Sequence, residues 1–284
     1  MNGIINIYKP KGMTSHDVVY KIRRITGIKK VGHTGTLDPD AEGVLPICIG
    51  KGTRLSDMLT FSDKRYTAVL RLGITTDTQD MTGTVLTESE VSVTREQLEE
   101  AVNRFIGEIE QIPPMYSAVK IGGKKLYELA RKGVEVERKP RKITIYSIEL
   151  LEFDGISAVI DVRCSKGTYI RTLCYDIGEM LGYGGCMASL TRTGSSVFTI
   201  DGAKRLEDLT TENIAEFIIP PDGMFDYEKI VVAGEEERRI LNGNTASMPG
   251  AEDGKHYRVY GSEGKFLCIS KGLNGKLTLV KSFY

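Results

Sequence analysis

The sequence predicts an α+β fold in two unequal domains, on three observations. Capped amphipathic helical runs alternate irregularly with strand-like runs over most of the chain. Beyond Pro220-Pro221 the texture changes to short alternating runs separated by glycines, the pattern of a small β-barrel-like domain. The 284 residues supply core for one large domain plus a small one. Domains of residues 1–222 and 223–284 are expected.

Gly3 to Tyr8 reads as a short strand that ends at the Lys9-Pro10-Lys11-Gly12 turn. Ser15 is placed to cap a helix with Val18, Val19, Ile22 and Ile25 on one face, stopped by Gly27. A short helix is expected over Thr53–Thr60 and a strand over Tyr66–Leu72, with Tyr66, Ala68 and Leu70 on one face. The polar segment Gly73 to Gly83 has the residues of an exposed loop. Thr94 and Gln97 make a capping box for a helix that turns Leu98, Ala101, Val102 and Phe105 inward. After Pro113-Pro114, the runs Lys142–Phe153 and Ile156–Ser165 read as a hairpin around Asp154-Gly155. A helix follows through Ile170, Leu173, Ile177 and Leu181 to Gly182, then a strand over Ala188–Phe198 that carries Leu190 and Arg192. In the last domain, strands are expected near Ile230–Val232, Tyr257–Tyr260, Lys265–Ser270 and Lys276–Val280, with one helix near Glu235–Leu241.

Between the first helix and these elements lies Val31 to Gly50, VGHTGTLDPDAEGVLPICIG. Its apolar end (Val44, Leu45, Ile47, Ile49) reads as a buried strand, so the polar part is a loop fixed to the core. Gly32, Gly35 and Gly43 are expected to permit unusual dihedrals or close approaches, and Pro39 restricts Asp38 to extended conformations. A carboxylate held in a narrow range of directions beside His33 is a candidate for chemistry. A turn-capping role for Asp38 is the alternative.

The 38 basic and 38 acidic side chains cancel, so a nucleic-acid partner would have to be met by a local patch. Lys120 to Lys142 is such a patch: nine basic residues less three acidic ones leave +6 in an otherwise negative chain. Its short apolar face (Leu126, Tyr127, Leu129, Ala130) predicts a segment that projects or docks loosely. Five scattered cysteines (Cys48, Cys164, Cys174, Cys186, Cys268) without a CxxC pair read as buried reduced thiols. His16, His33 and His256 show no ligand spacing, so no metal is expected. No stretch resembles a signal peptide or a membrane span, and cytoplasmic residence is expected.

Four colinear blocks carry a family resemblance. GHTGTLDP with GVLPICIG (Gly32–Gly50), NIYKPKGMTS (Asn6–Ser15), DKRYTAVLRLG (Asp63–Gly73) and KGTYIRTL (Lys166–Leu173) resemble the bacterial tRNA pseudouridine-55 synthases, the TruB family. The resemblance implies a pseudouridine synthase-like catalytic domain with a mixed, largely antiparallel sheet flanked by helices, and a C-terminal PUA-like RNA-binding domain. It implies isomerisation of a uridine in the T-loop of tRNA (position 55) to pseudouridine by base flipping, without guide RNA, metal or cofactor.

On the same resemblance Asp38 is the essential carboxylate, acting at a sugar carbon or on the C2′ proton, and Arg171 pairs with it in a two-point geometry. Tyr66 stacks on the target base, Tyr169 is a second pocket residue and Leu190 supplies apolar wall, although a Tyr at such a position is often simply core. His33 enters the RNA loop as the uridine leaves. Lys9, beside Pro10, touches phosphate or buttresses the central loop. The basic segment, with Lys124, Lys125, Arg131 and Lys132, grips the T-arm. Asp40 and Glu42 depart from the small or apolar residues common after the Asp-Pro pair.

A monomer with tRNA as its partner, no obligatory protein partner and no membrane contact is expected. Two other readings compete: a silent RNA-binding chaperone, which would have no need of Asp38, Tyr66 and Arg171 together, and a guide-RNA enzyme of the same superfamily, whose members lack the basic insertion. A nucleotide phosphate cradle is disfavoured, because neither GxxxxGK[ST] nor GxGxxG occurs in the glycine-rich loop.

Overall fold

The computed structural model describes residues 1–284. The chain begins with β1 (Gly3–Lys9), α1 (Ser15–Thr26), β2 (Val31–His33) and β3 (Glu42–Ile49). A 3-10 helix (Gly50–Leu55) and α2 (Ser56–Thr60) lead into β4 (Lys64–Leu72), then the pair β5 (Ile74–Thr76) and β6 (Val85–Glu88). Next come α3 (Arg95–Asn103), β7 (Gly107–Gln111), β8 (Lys120–Ile121), β9 (Lys124–Lys125) and α4 (Leu126–Ala130). The hairpin β10 (Arg141–Phe153) and β11 (Ser157–Cys164) is followed by α5 (Ile170–Leu181), β12 (Gly185–Ser195), β13 (Phe198–Thr199) and β14 (Lys204–Arg205). After three 3-10 turns the chain ends in β15 (Glu228–Val231), α6 (Gly234–Leu241), β16 (Ala246–Ser247), β17 (His256–Tyr260), β18 (Phe266–Leu273) and β19 (Lys276–Ser282).

Ten strands form one mixed sheet in the order β14-β1-β3-β12-β4-β11-β10-β7, with β2 on β3 and β13 on β12. All pairs are antiparallel except β1 with β14 and β12 with β3. Period-2 alternation decides what each face meets. Ile5 and Ile7 of β1 and Leu45, Ile47 and Ile49 of β3 pack with Val18, Val19 and Ile22 of α1. Ile4, Val44 and Cys48 point the other way, into a cluster with Leu55, Leu59, Met224, Ile269 and Phe283. That cluster joins the C-terminal five-stranded sheet (β15-β17-β18-β19-β16) to the large one through a shared apolar core, and Arg54 adds a hydrogen bond from Nη1 to Ser282 O at 2.7 Å. Helices α3 and α5 cover the far half of the large sheet, with Leu98, Val102, Leu173 and Ile177 against Ala68, Leu70, Ile160 and Val162.

Most expected elements are present, and the exceptions have local causes. Thr14, not Ser15, caps α1: its Oγ1 accepts from Asp17 N at 3.1 Å while Asp17 Oδ2 accepts from Thr14 N at 2.8 Å. Ser15 is thereby the first helical residue, and its hydroxyl is free for another task. The strand expected over Ala188–Phe198 starts at Gly185 and ends at Ser195, because Ser196 takes a positive φ of 57° and turns the chain back into β13. Gly73 to Gly83 is not a simple exposed loop, since Ile74–Thr76 is a strand and Thr75 and Thr76 are buried.

The basic segment is docked at its short helix, while Arg131 to Glu135 beyond it is exposed. Leu126 is fully buried, and Leu126 N and Tyr127 N donate to Val119 O and Ser117 O, folding it back over Met115–Val119. The C-terminal strands make an open ladder, with no pairing of β15 to β16 that would close a barrel. Of the three loop glycines, Gly43 is the one the backbone requires: its φ is 104° and a β-carbon would collide with the backbone of Arg192. Gly32 and Gly35 have ordinary φ; a β-carbon would meet open space at Gly32 and only ordinary contacts with the Arg192 and Lys64 side chains at Gly35. All five cysteines are buried and unpaired, and no helix is long and apolar enough to cross a membrane.

Candidate active site

The β2–β3 loop lies at the ends of β3, β12 and β4, the adjacent strands whose register sets Leu190 opposite Ala68 and Arg192 opposite Tyr66. Asp38 is held on both sides. Pro39 O accepts from Lys9 Nζ at 3.1 Å and from Gly12 N at 3.0 Å, and the backbone of Leu37 is bonded to Ser15. The carboxylate opens into a cleft of about 270 Å³ lined by Tyr66, Tyr169, Arg171, Leu190 and Arg192. A second, wider cleft of about 710 Å³ shares Asp38 and continues past Asp80, Thr82, Tyr127 and Arg131. Asp38, Arg171, Tyr66, Tyr169 and Leu190 thus converge although they come from four separate elements.

Arg171 is the second residue of α5 and its side chain is 7% exposed. Its Nη2 lies 3.1 Å from Asp38 Oδ2, and its Nη1 lies 3.5 Å from Asp80 Oδ2. The guanidinium hydrogen bonds go to backbone carbonyls, Nη1 to Thr78 O (3.2 Å) and Nη2 to Tyr116 O (2.8 Å). The contact with Asp38 is therefore a single-point ion pair and not the two-point fork expected, because one guanidinium serves two carboxylates and two carbonyls. Burial pushes the Asp38 pKa up; Arg171 opposes this and Asp80 adds to it.

Tyr66 is 8% exposed, and burial raises its phenol pKa while Arg192 opposes the shift. Tyr169 caps α5, and Gln111, itself buried, grips its backbone twice: Tyr169 N donates to Oε1 at 2.7 Å and Nε2 donates to Tyr169 O at 3.0 Å. Thr34 Oγ1 and Ser117 Oγ, on residues of the cleft wall, are buried without a partner. Arg192 and Lys64 place two buried cations on the same wall, and neither has a carboxylate partner.

Lys9 is fully buried and its ammonium donates to the carbonyls of Pro10 (2.9 Å), Met13 (2.6 Å) and Pro39 (3.1 Å). Of its two expected roles the buttress has its partners in place, and the phosphate contact is corrected: no donor faces solvent. Desolvation lowers its pKa to about 8.

His33 is not brought to the wall of either cleft; its Nδ1 accepts from Gly35 N at 3.3 Å, and its pKa is lowered by burial first, then by Arg192 and His16. Of the four basic residues singled out, Arg131 lines the wider cleft, Lys125 Nζ reaches Tyr127 Oη at 3.2 Å, and Lys124 and Lys132 lie exposed outside both clefts. None of the four is in an ion pair within the chain, whereas Arg138 and Lys142 are paired with Glu135 and Glu108. Asp40 is exposed on the wider cleft, and Glu42 Oε1 accepts from Thr191 Oγ1 at 3.5 Å. No group of three or more His, Cys, Asp or Glu side chains is arranged to hold a metal ion.

Sequence alone does not single out Asp80 or Gln111. Asp80 sits in a run with loop composition, and the one signal it offers is an acid between two threonines (Thr78 and Thr82), both of which hydrogen-bond its Oδ1.

Comparison with known proteins decides the family. The model described as TruB family pseudouridylate synthase (N terminal domain) matches residues 23–170, and that described as tRNA pseudouridylate synthase B C-terminal domain matches residues 171–222. The chain belongs to the TruB family of pseudouridylate synthases. Among TruB proteins, it is 54% identical to the tRNA pseudouridine synthase B of Alkaliphilus oremlandii (strain OhILAs) over 86% of this chain and 82% of that one. It is 50% identical to the tRNA pseudouridine synthase B of Clostridium novyi (strain NT) over 96% and 98%. A solved Cbf5-Nop10-Gar1 complex contains a chain of the same fold, with a TM-score of 0.74 and 28% identity over 99% of this chain and 85% of that one. In TruB terms the Asp38–Arg171 pair straddles the two matched segments, so neither segment carries the site alone.

Proposed function

We propose that the chain converts the T-loop uridine of tRNA, position 55, to pseudouridine as a stand-alone enzyme. One observation carries this reading: an aspartate fixed at both neighbouring residues faces a small cleft with an arginine at 3.1 Å and two tyrosines and a leucine on its walls. The isomerisation breaks the N1–C1′ bond, turns the detached uracil, joins C5 to C1′, releases the C5 proton and leaves N1 protonated, so it is redox-neutral. Asp38 supplies the charge at the sugar, and Arg171 holds that carboxylate ionised and aimed. Tyr66 and Tyr169 hold the flipped base and Leu190 keeps water from the freed uracil. A cleft of about 270 Å³ suits one extruded nucleotide base and little more.

Arg131 and Tyr127 on the wider cleft, with Lys124, Lys125 and Lys132 beyond it, form the surface on which the T-arm stem rests. The C-terminal sheet is read as a PUA-like domain, residues 223–284, that contacts the rest of the arm. His33, which lies outside the lining of both clefts, fills the stack that the uridine leaves.

The test is the purified chain with an isolated T-arm stem-loop carrying C5-tritiated uridine. Tritium release without nucleotide or partner, and unchanged by chelator, is the expected result. The solved relative sits in a complex with partner proteins; turnover that appeared only with a guide RNA or added proteins would replace the stand-alone reading by the ribonucleoprotein one.

A further inference from the structure

Leu37, the residue before Asp38, has both of its backbone polar groups bound by one side chain. Ser15 Oγ accepts from Leu37 N at 2.8 Å and donates to Leu37 O at 3.1 Å. Both residues are buried, Ser15 at 2% and Leu37 at 3% exposure. A hydroxyl is the smallest group that donates and accepts at once, and in this pocket neither Leu37 group has another partner. On the other side of Asp38, Pro39 O is held by Lys9 Nζ and Gly12 N. These anchors come from one short segment, Lys9 to Ser15, that the fold sets against the central loop.

We propose that Ser15 is a positioning residue for Asp38, fixing the two peptides that flank Leu37 and, through the Leu37–Asp38 one, the direction of the carboxylate. The proposal rests on the reading that Asp38 is the reacting carboxylate. With Pro39 anchored independently, loss of the Ser15 hydroxyl frees the peptide on one side only. Leu37 N–H and C=O then turn to find water, because leaving them buried and unpaired is costly. Displacement of a reacting group by about 1 Å costs on the order of a hundredfold in rate while leaving most of the binding surface intact.

Single-turnover tritium release at saturating stem-loop, with the dissociation constant measured in parallel, separates the effects. Ser15→Ala is expected to slow release by roughly tenfold to a hundredfold with the dissociation constant within about threefold, and Ser15→Thr, which keeps the hydroxyl, to restore most of the rate. Thr94→Ala, which removes the remote cap of α3, is expected to lower the melting temperature without slowing release. Hydrogen exchange gives a second readout: the Leu37 amide should be slow in the parent despite lying in a loop, and fast in Ser15→Ala.

A parental rate in Ser15→Ala overturns the proposal, as does parallel loss of rate and affinity. So does a rapidly exchanging Leu37 amide in the parent, a measurement that needs no variant to fold. Asp38→Asn in the same assay distinguishes the two layers. If it turns over, the reading of Asp38 fails; if it is silent while Ser15→Ala is fully active, only the role of Ser15 fails.

Discussion

Arg171 reaches Asp38 through a single 3.1 Å contact, Nη2 to Oδ2, while its Nη1 stands 3.5 Å from Asp80. The buried cation favours the charged form of Asp38, against the burial and the Asp80 charge that disfavour it. The balance is set by geometry, since burial alone would push Asp38 toward the neutral form.

Asp38→Asn is expected to abolish tritium release while tRNA binding stays within about tenfold, because the change is nearly isosteric and removes only the charge. Substantial turnover by the Asn variant would remove Asp38 from the chemistry.

On the proposed role of Asp38, the acid limb of kcat/KM should report its ionisation in the free enzyme. Its pKa is raised by burial, so activity should be lost, as pH falls, at a value above the ordinary 3.8. Asp80 contributes to that upward shift. Asp80→Asn should therefore move the limb to lower pH even as it lowers the maximum rate; a limb that stayed or moved upward would contradict the like-charge contact.

Lys124, Lys125, Arg131 and Lys132 form no salt bridge within the chain, unlike Arg138 and Lys142 beside them. Replacing all four by Ala should flatten the plot of log affinity against log salt by roughly one unit for each phosphate left without its cation. An unchanged slope would place the RNA surface elsewhere.

Lys9 carries a pKa lowered to about 8 from 10.5. Between those values the unfolded chain binds the proton and the folded chain does not, so this group makes stability rise with pH from about 8 to 10.5, and its contribution is gone once pH has fallen below 8. Buried thiols such as Cys48, with a pKa pushed up from 9.0 to about 12, act in the opposite sense from about pH 9 upward, so the measurement is a difference between two chains that share them. The denaturant midpoint of the parent, less that of Lys9→Met, should rise between pH 8 and 10. Parallel curves would show that the Lys9 proton is not linked to folding.

Neighbouring residues were enough to specify most of the elements and the loop that carries Asp38. The Thr94–Gln97 capping box, the Gly27 and Gly182 stops and the alternation of β4 are written within a few residues of one another, and local hydrogen bonds and burial enforce them. Asp38 is legible because proline restricts its neighbour directly, and Arg171, Tyr66, Tyr169 and Leu190 because the family resemblance marks them.

It took the packed molecule to show that Thr14 takes the cap and releases Ser15 to Leu37, that Lys9 spends its ammonium on three carbonyls, and that Asp80 joins Arg171. The same holds for the grip of Gln111 on Tyr169 and for the place of His33 outside the lining of both clefts. Several of these are bonds between a side chain and a distant partner, 22 residues away for Ser15 and 58 for Gln111. Such bonds impose no periodicity and no turn composition on the chain, because they depend on where the sheet order places two loops and not on what lies beside either of them.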